Sequence, residues 1–395
     1  MSDVPMVPVG ELMVSRGGSV NPLNFPDEDF DLYSIPAFDA GKPDVTVGAD
    51  IGSTKQVVQP NDVLLSKIVP HIRRAWVVGE DRGRRLIGSG EWIVFRSERV
   101  WPEYLRHVLV GDPFHQQFMQ TVSGVGGSLL RARPAFVAGI SIPLPPLEEQ
   151  RRIAAILDQA ETLRTQRRQA LAHLDTLTQS LFLDMFGDPV ANERGWPRVP
   201  FGKLLEKIES GWSPVCLDRP AEGNEWAVLK LGAVTSCEFK PHENKALPNS
   251  VAPDASIEVK SGDLLFSRKN TYELVAACVL VDEAPPRLMM SDLIFRFRLN
   301  AEAQVDPCYL HRLLIHPSKR QEVQKLAGGS SSSMPNISKA KLAEFLIELP
   351  PLSHQQTFAT RIQAIEALKA THRTALAQLD ALFASLQQRA FAGEL

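Results

Sequence analysis

This 395-residue sequence predicts an α+β chain built twice, each half a β-rich domain followed by a long helix, with the two helices paired. Three observations carry that expectation. The stretch from Ile142 to Phe186 recurs without a gap 205 positions later, from Ile347 to Phe391, and 19 of the 45 positions are identical, which marks an internal duplication. In both copies a Pro-Pro pair is followed by a long run without proline or glycine. Ahead of each copy lie short apolar runs separated by Gly, Pro, Asn and Asp, the pattern of short strands and turns.

The first β-rich domain is expected over residues 1–141. Asp62 to Leu65, Ala75 to Val78 and Trp92 to Phe95 are its clearest strands. From Lys67 to Arg85 the cations Lys67, Arg73, Arg74, Arg82, Arg84 and Arg85 face only Glu80 and Asp81, and Arg96, Arg99, Arg131 and Arg133 follow. Each alone reads as a solvated basic residue, but together, in a chain acidic elsewhere, they predict a phosphate-facing surface. A glycine-rich loop, Ser123 to Ser128, comes next, suited either to cradling a phosphate or to plain connection.

Residues 142–187 form the first junction and helix. Proline lacks the N–H and pushes its predecessor out of helical geometry, so Pro145-Pro146 closes an extended segment and the helix starts after it. From Glu148 to Met185 it would reach about 57 Å at ~1.5 Å per residue, which suits a spacer. Heptads place Ile153, Ala160, Leu174 and Leu181 on one row and Ile156, Leu163, Ala170 and Leu177 on a second. Arg167 interrupts the first row, and a lone polar residue there is a register-setting device.

The second domain, 188–346, repeats the plan. Gly262 to Arg268 (GDLLFSR) matches Asn61 to Lys67 (NDVLLSK), and Pro307 to Leu310 (PCYL) matches Pro102 to Leu105 (PEYL). Its candidate nucleic-acid residues are Lys230, Arg268, Lys269, Asn270 and Thr271, with Ser330 and Ser331 beginning a possible phosphate loop. The second junction and helix occupy 347–395, where Phe358, Ile365, Leu379 and Leu386 form the first row and Leu368, Ala375 and Leu382 the second. His372 breaks the first row where Arg167 did.

Composition sets the class. With 44% hydrophobic and 23% charged residues the chain reads as an ordinary soluble protein, and a net charge of -3 argues against coating nucleic acid indiscriminately. No run approaches the ~18 apolar residues of a membrane span and the start lacks a leader pattern, so a cytoplasmic protein with no membrane association is expected. The four cysteines lie at wide, irregular spacings that support neither a metal knuckle nor a disulfide framework.

The order of a β-rich domain, a PPL-x-x-Q junction and a long heptad helix, repeated once, resembles the DNA-specificity subunit of type I restriction-modification systems. The likeness spans the full chain, and its most specific pieces are the two junctions, the strands ending in Ser66-Lys67 and Ser267-Arg268, and Phe186-Gly187-Asp188-Pro189. It implies that each β-rich unit is a target recognition domain reading half of a split site in double-stranded DNA. It also implies an antiparallel coiled coil with pseudo-twofold symmetry, on which two methyltransferase subunits dock, joined by restriction and translocase subunits. S-adenosylmethionine, ATP and Mg would sit on those partners and no cofactor on this chain. One departure is visible, since Gly328 to Ser338 (GGSSSSMPNIS) has no clear counterpart in the first half, where Leu129 to Ala135 reads LLRARPA.

A search for chemistry agrees with a non-catalytic chain. Both Pro-Pro pairs are flanked by leucine, unlike the N/D-P-P-Y/F grip on a flipped base, and Gly48 to Lys55 (GADIGSTK) misplaces the lysine of a phosphate loop. Asp254, Glu258 and Lys260 superficially follow a metal-nuclease pattern, but the gap after Asp254 leaves no room for a second strand. His311 and His316 are five apart, off a shared metal-binding face, and no metal site is expected. The alternatives are the recognition part of a single-chain methylase or nuclease, and a coiled-coil interaction protein without DNA. Helix length acts as a ruler in the preferred reading: lengthening both helices by one heptad moves the domains apart by about 10 Å, close to three base pairs of rise.

Overall fold

The computed structural model describes residues 4–15, 17–123, 130–328 and 334–395. The chain divides into two units, residues 1–169 with 373–395 and residues 170–372. Each unit holds one β-rich domain, the first part of the helix that follows it and the last part of the other long helix.

In the first unit the central strand Val63–Ser66 is buried throughout and pairs antiparallel with Ala75–Val77 and Trp92–Phe95. A five-stranded sheet, in the order Ser19–Val20, Lys55–Val57, Arg85–Gly88, Asp29–Tyr33 and Asp44–Val47, completes the domain with two short helices, Pro102–Val110 and Asp112–Gln120. In the second unit Leu264–Ser267 occupies the matching place, between Cys278–Leu280 and Ile294–Leu299. Leu205–Ser210 extends that sheet, a three-stranded sheet lies beside it in sequence, and the helices Pro307–Ile315 and Pro317–Gln324 follow. An ion pair repeats with the strands. Arg96 forks onto the fully buried Asp62 at 2.6 and 2.7 Å, and Arg298 reaches Asp263 at 3.0 Å.

The repeated junction explains the PPL-x-x-Q motif. Gln150 is fully buried; its carbonyl oxygen accepts from Trp101 N at 2.7 Å while its amide donates to Arg99 O at 3.1 Å and Pro145 O at 2.7 Å. Gln355 does the same with Asp306 N at 2.8 Å, Gln304 O at 3.0 Å and Pro350 O at 2.7 Å. The matched tyrosines add a bond each, Tyr104 Oη to Pro143 O and Tyr309 Oη to Glu348 O, both at 2.8 Å. A glutamine is required because one end must accept and the other donate, and a buried amide without partners would be costly.

The long helices run Leu147–Phe186 and Leu352–Ala392. Within the first unit Arg164 and Arg168 meet Asp380 at 2.6 and 3.2 Å, and Arg152 meets the carbonyl of Leu395 at 2.6 Å. Within the second, Lys369 meets Asp175 at 2.7 Å and Phe186 packs on Phe358. Rising numbers on one helix meet falling numbers on the other, so the pairing is antiparallel. Both charged pairs obey the duplication, since Arg164 corresponds to Lys369 and Asp175 to Asp380.

One expectation about this seam is corrected. The first row holds: Ile153 and Phe358 are buried, and Ile365, Leu174 and Leu379 are half-buried. The second row lies four residues after the first, not three. Its members are Leu157, Arg164, Leu171, Thr178 and Met185 on one helix, and Ile362, Lys369, Leu376, Phe383 and Ala390 on the other, all buried or half-buried. The expected residues Leu163, Leu177, Leu368 and Leu382 are 43 to 50% exposed, and Ile156 is half-buried. Alternating spacings of three and four are equally consistent with a heptad, and the tertiary pairing chose the row in which Arg164 and Lys369 find aspartates. Arg167 and His372 both lie half-buried in the first row.

Candidate nucleic-acid interface

Each central strand ends in a serine and a cation, and the chain beyond it is held the same way in both units. Lys67 N donates to Glu91 O at 3.0 Å and its carbonyl accepts from Ala132 N at 2.8 Å. Arg268 N donates to Leu293 O at 3.1 Å and its carbonyl accepts from Ile337 N at 2.8 Å. Bridges Ile68 to Arg131 and Lys269 to Asn336 continue the match. Two segments of each domain therefore cross next to the strand-end cation. Ser330 and Ser331 lie outside the described residues, as does the glycine-rich stretch of residues 124–129.

Around the first crossing, Arg131 is neutralised by Glu91 at 3.2 Å, and Arg133 donates to Ser123 Oγ at 2.8 Å. Around the second, the Arg268 guanidinium stands 5.3 Å from the centre of the Phe295 ring and Lys339 Nζ stands 5.5 Å from the same centre. Asn270 is buried and accepts from Thr271 N at 2.9 Å, which shapes the next turn. Arg320 and Gln324 hold that turn through the carbonyls of residues 272–275, leaving Tyr272 half exposed.

The basic cluster of the first domain is largely committed to its own carboxylates. Arg73 pairs with Asp112 at 2.6 Å and donates to Val110 O. Arg74 is buried and forks onto Asp39, whose carboxyl it holds below the ordinary value. Arg84 reaches the buried Asp31 at 2.7 Å, and Arg85 reaches Glu28 at 2.5 Å while lying 3.9 Å over Phe25. Such pairs cancel much of the positive charge and restrict the freedom to move onto a phosphate. Among the described residues, Lys67 and Arg82 are the members of the cluster whose side chains have no such partner. Arg82 lines a cleft of about 600 Å³ with Tyr33, Trp76 and Lys42, and with the carboxylates of Asp31, Asp44 and Glu80. In the second domain Lys230 is paired with Glu243 at 3.0 Å.

Sequence reasoning left Asn336, Lys339 and Phe295 out of the site. Only the crossing brings them to Arg268, although the match of Asn336 with Arg131 at the same 205-residue offset was available. It also missed a cluster of metal-ligand type, His107, Asp158 and Glu161, whose donor atoms lie within 4.8 Å of one another. Arg106 already spans it, at 2.6 Å from Asp158 and 2.9 Å from Glu161, so a guanidinium serves where a cation would. Burial, with Arg106 beside it, keeps His107 below its ordinary pKa. Asp254, Glu258 and Lys260 form no metal site either: Asp254 caps a short helical turn through Ser256 N, and Glu258 accepts from Arg287 N.

Residues 106–173 and 252–381, together half of the chain, match the type I restriction modification DNA specificity domain. The specificity subunit of the type I restriction enzyme EcoEI from Escherichia coli is 33% identical over 170 residues, 43% of this chain and 28% of that one. That of EcoKI from Escherichia coli K12 is 24% identical over 325 residues, 76% of this chain and 68% of that one. The chain thus spans well under a third of the first relative and about two thirds of the second. Among solved structures, a type I restriction-modification system S subunit from M. genitalium superposes with a TM-score of 0.61 at 10% identity, over 99% of this chain and 97% of that one. A chain from a study of complex assembly and conformational transition of the type I restriction-modification system gives 0.57 at 22%, over 99% and 98%. At those identities the likeness carries the fold.

Proposed function

This chain belongs to the type I restriction-modification DNA-specificity family, and from that premise we propose that it reads DNA for such a complex without catalysing any step itself. The observation that carries this reading is the repeated strand-end site, Lys67 in one unit and Arg268 in the other, each on a domain joined to its helix by the same buried glutamine. Two alike readers on one chain suit a split target in double-stranded DNA, one half-site for each unit. Residues 1–141 and 188–346 are the target recognition domains in this proposal, and 142–187 and 347–395 the junctions and spacer helices. Phosphate contacts would position each domain and base-edge contacts would specify sequence. Lys67 and Arg82, on the rim of its cleft, are the candidates in the first domain, and Arg268, Lys269, Asn270 and Thr271 in the second.

The partners follow from the helices. Leu163 and Leu382 are exposed in one unit and Leu368 and Leu177 in the other, the same two positions of the duplicated helix. Exposed leucines on an ordered helix suit a further protein surface, and their duplication supports two methyltransferase subunits, with restriction and translocase subunits joining them. S-adenosylmethionine, ATP and Mg belong to those partners, and the cytoplasm, where chromosomal DNA lies, is the proposed compartment. A purified complex saturating at one methyltransferase copy would contradict the stoichiometry.

The experiment that tests the reading replaces residues 1–141 with the corresponding domain of a relative and maps host DNA methylation. One half of the recognised sequence should change while the other stays. Both halves changing together would refute the assignment of one half-site to each unit.

A further inference from the structure

Resting on the reading of the chain as a DNA-recognition subunit, we propose that Arg268 and Lys339 form a binding site for a backbone phosphate in the second unit, and that the first unit has no equal to it. Both cations stand over the ring of Phe295, at 5.3 and 5.5 Å from its centre, so their charges lie within about 11 Å of each other. An aromatic face attracts a cation but cancels none of its charge. Among the described residues no carboxylate pairs with either side chain, whereas Arg198, Arg219, Arg296, Arg298 and Arg312 of the same unit each sit on one. Two like charges at that separation repel, only partly screened over a Debye length of about 8 Å at physiological salt. An oxyanion within reach of both turns the repulsion into attraction.

A second, independent observation points the same way. Among the described residues, Arg268 Nε is buried and has no hydrogen-bond partner, and neither has the buried Oγ of Ser267 beside it. Buried polar atoms are nearly always satisfied, so two unsatisfied donors, a guanidinium N–H and a hydroxyl, beside two uncompensated cations mark a place suited to an anion. A guanidinium offers a fork of donors to two phosphate oxygens and a lysine adds a point charge, which is the chemistry of a phosphate diester.

The first unit departs at each point. Arg131, at the place of Asn336, brings its own carboxylate, Glu91, and the position of Lys339 is Pro134. That crossing is partly self-neutralised, and its other arginine, Arg133, donates to Ser123 Oγ and stands over Phe136, a ring that no second cation shares among the described residues.

The test measures binding of a mixed-sequence duplex by the assembled complex across a salt series, for R268Q, K339Q, the double variant and R131Q, with K207Q as a control at an exposed lysine already paired with Glu209. Thermal melting of each variant checks that it folds. R268Q and K339Q should each lower the magnitude of the slope of log K against log salt by about 0.9, and the double variant by about 1.8. R131Q and K207Q should leave it unchanged. Duplex binding with slopes unaffected by R268Q and K339Q would overturn the site while leaving the functional reading intact, and a drop for R131Q equal to that for R268Q would overturn the asymmetry. Absence of duplex binding by the unaltered complex would overturn the functional reading. Calorimetric titration of inorganic phosphate onto the full chain then decides the site alone: heat lost in the double variant supports an oxyanion site, and no heat in the unaltered chain removes it. Phosphate heat together with unchanged duplex slopes would assign the site to a free anion, against the proposal.

Discussion

The charged layer of the helix pair should respond in opposite senses to loss of its two ends. Lys369 is 4% exposed and lies between Asp175 at 2.7 Å and Glu366 at 3.0 Å, which are 62% and 33% exposed. Asp175→Ala leaves a buried ammonium with one acidic neighbour instead of two. Stranding a buried charge costs about 3–5 kcal/mol; because Glu366 remains, a loss of roughly half that, about 1–3 kcal/mol, is expected. Lys369→Met keeps the apolar stem in the seam and returns Asp175, already mostly in water, to full hydration. Replacing a whole buried ion pair by apolar side chains is neutral or stabilising by about 1–4 kcal/mol; with Asp175 62% and Glu366 33% exposed, the lysine carries most of the burial, so the single replacement approaches that case. For a unit of this size ~1 kcal/mol moves the melting temperature by about 2–4 °C, so the two variants should melt on opposite sides of the parent, or with Lys369→Met at the parent's value. Arg164 and Asp380 offer an internal repeat with the same sign and smaller size, since Arg164 is 18% exposed and stacks 4.3 Å from the Phe383 ring. Thermal unfolding followed by circular dichroism reads both. A greater loss for Lys369→Met than for Asp175→Ala would refute the argument that burial of the lysine decides the balance.

Other outcomes follow from burial and pairing. Leu157→Ala, in the seam, should cost about 2–5 kcal/mol, whereas Leu163→Ala, 43% exposed, should stay within about 0.5–1 kcal/mol; equal losses in denaturant titrations would restore the three-residue row. Arg96→Met strands the buried Asp62 and should cost about 3–5 kcal/mol, while Arg298→Met leaves Asp263 with Arg296 at 3.0 Å and should cost less; a reversed order would contradict the equivalence of the two pairs. His311 is buried and its pKa is pushed from 6.5 down to about 4, chiefly by desolvation. The unfolded chain takes up that proton below pH 6.5 and the folded one refuses it until about 4, so stability falls as pH falls through this window by about 1.4 kcal/mol per pH unit. His311→Gln should flatten the pH dependence there by that slope; an unchanged profile would show that His311 titrates normally.

How much of this was legible depends on the range of the interaction. The duplication, the Pro-Pro junctions and the strands around Leu64, Trp76 and Val94 are local patterns, and they stand where periodicity and turn residues put them. The second seam row was not legible, because Leu163 and Leu177 are better seam residues by composition than Arg164 and Thr178, and only the partner helix, with Asp380, decides between them. The first-domain arginines show the same limit. Arg74 and Asp39, or Arg84 and Asp31, are 35 and 53 positions apart, so a run of cations in sequence gave no sign that these members had acidic partners so distant in the chain. Arg268 and Lys339 share a ring across 71 positions of chain, and no spacing rule connects them.

The glutamine joints carry a consequence for how such chains change over generations. Gln150 grips the carbonyls of Arg99 and Pro145 and the N–H of Trp101, and Gln355 grips those of Gln304, Pro350 and Asp306. Every atom it holds is main chain, and so is the Pro143 or Glu348 oxygen that the matched tyrosine finds. The glutamine's grip is a socket keyed to backbone geometry, and the side chains enter only through the apolar packing beside it. A domain of different sequence can seat there, provided its strand and turn deliver a carbonyl and an amide to the same two places and its apolar side chains cover Ile153 and Leu157 as Val100 and Tyr104 do. An exchange that keeps these main-chain partners can thus replace the whole domain while the shaft beneath it stays as it was.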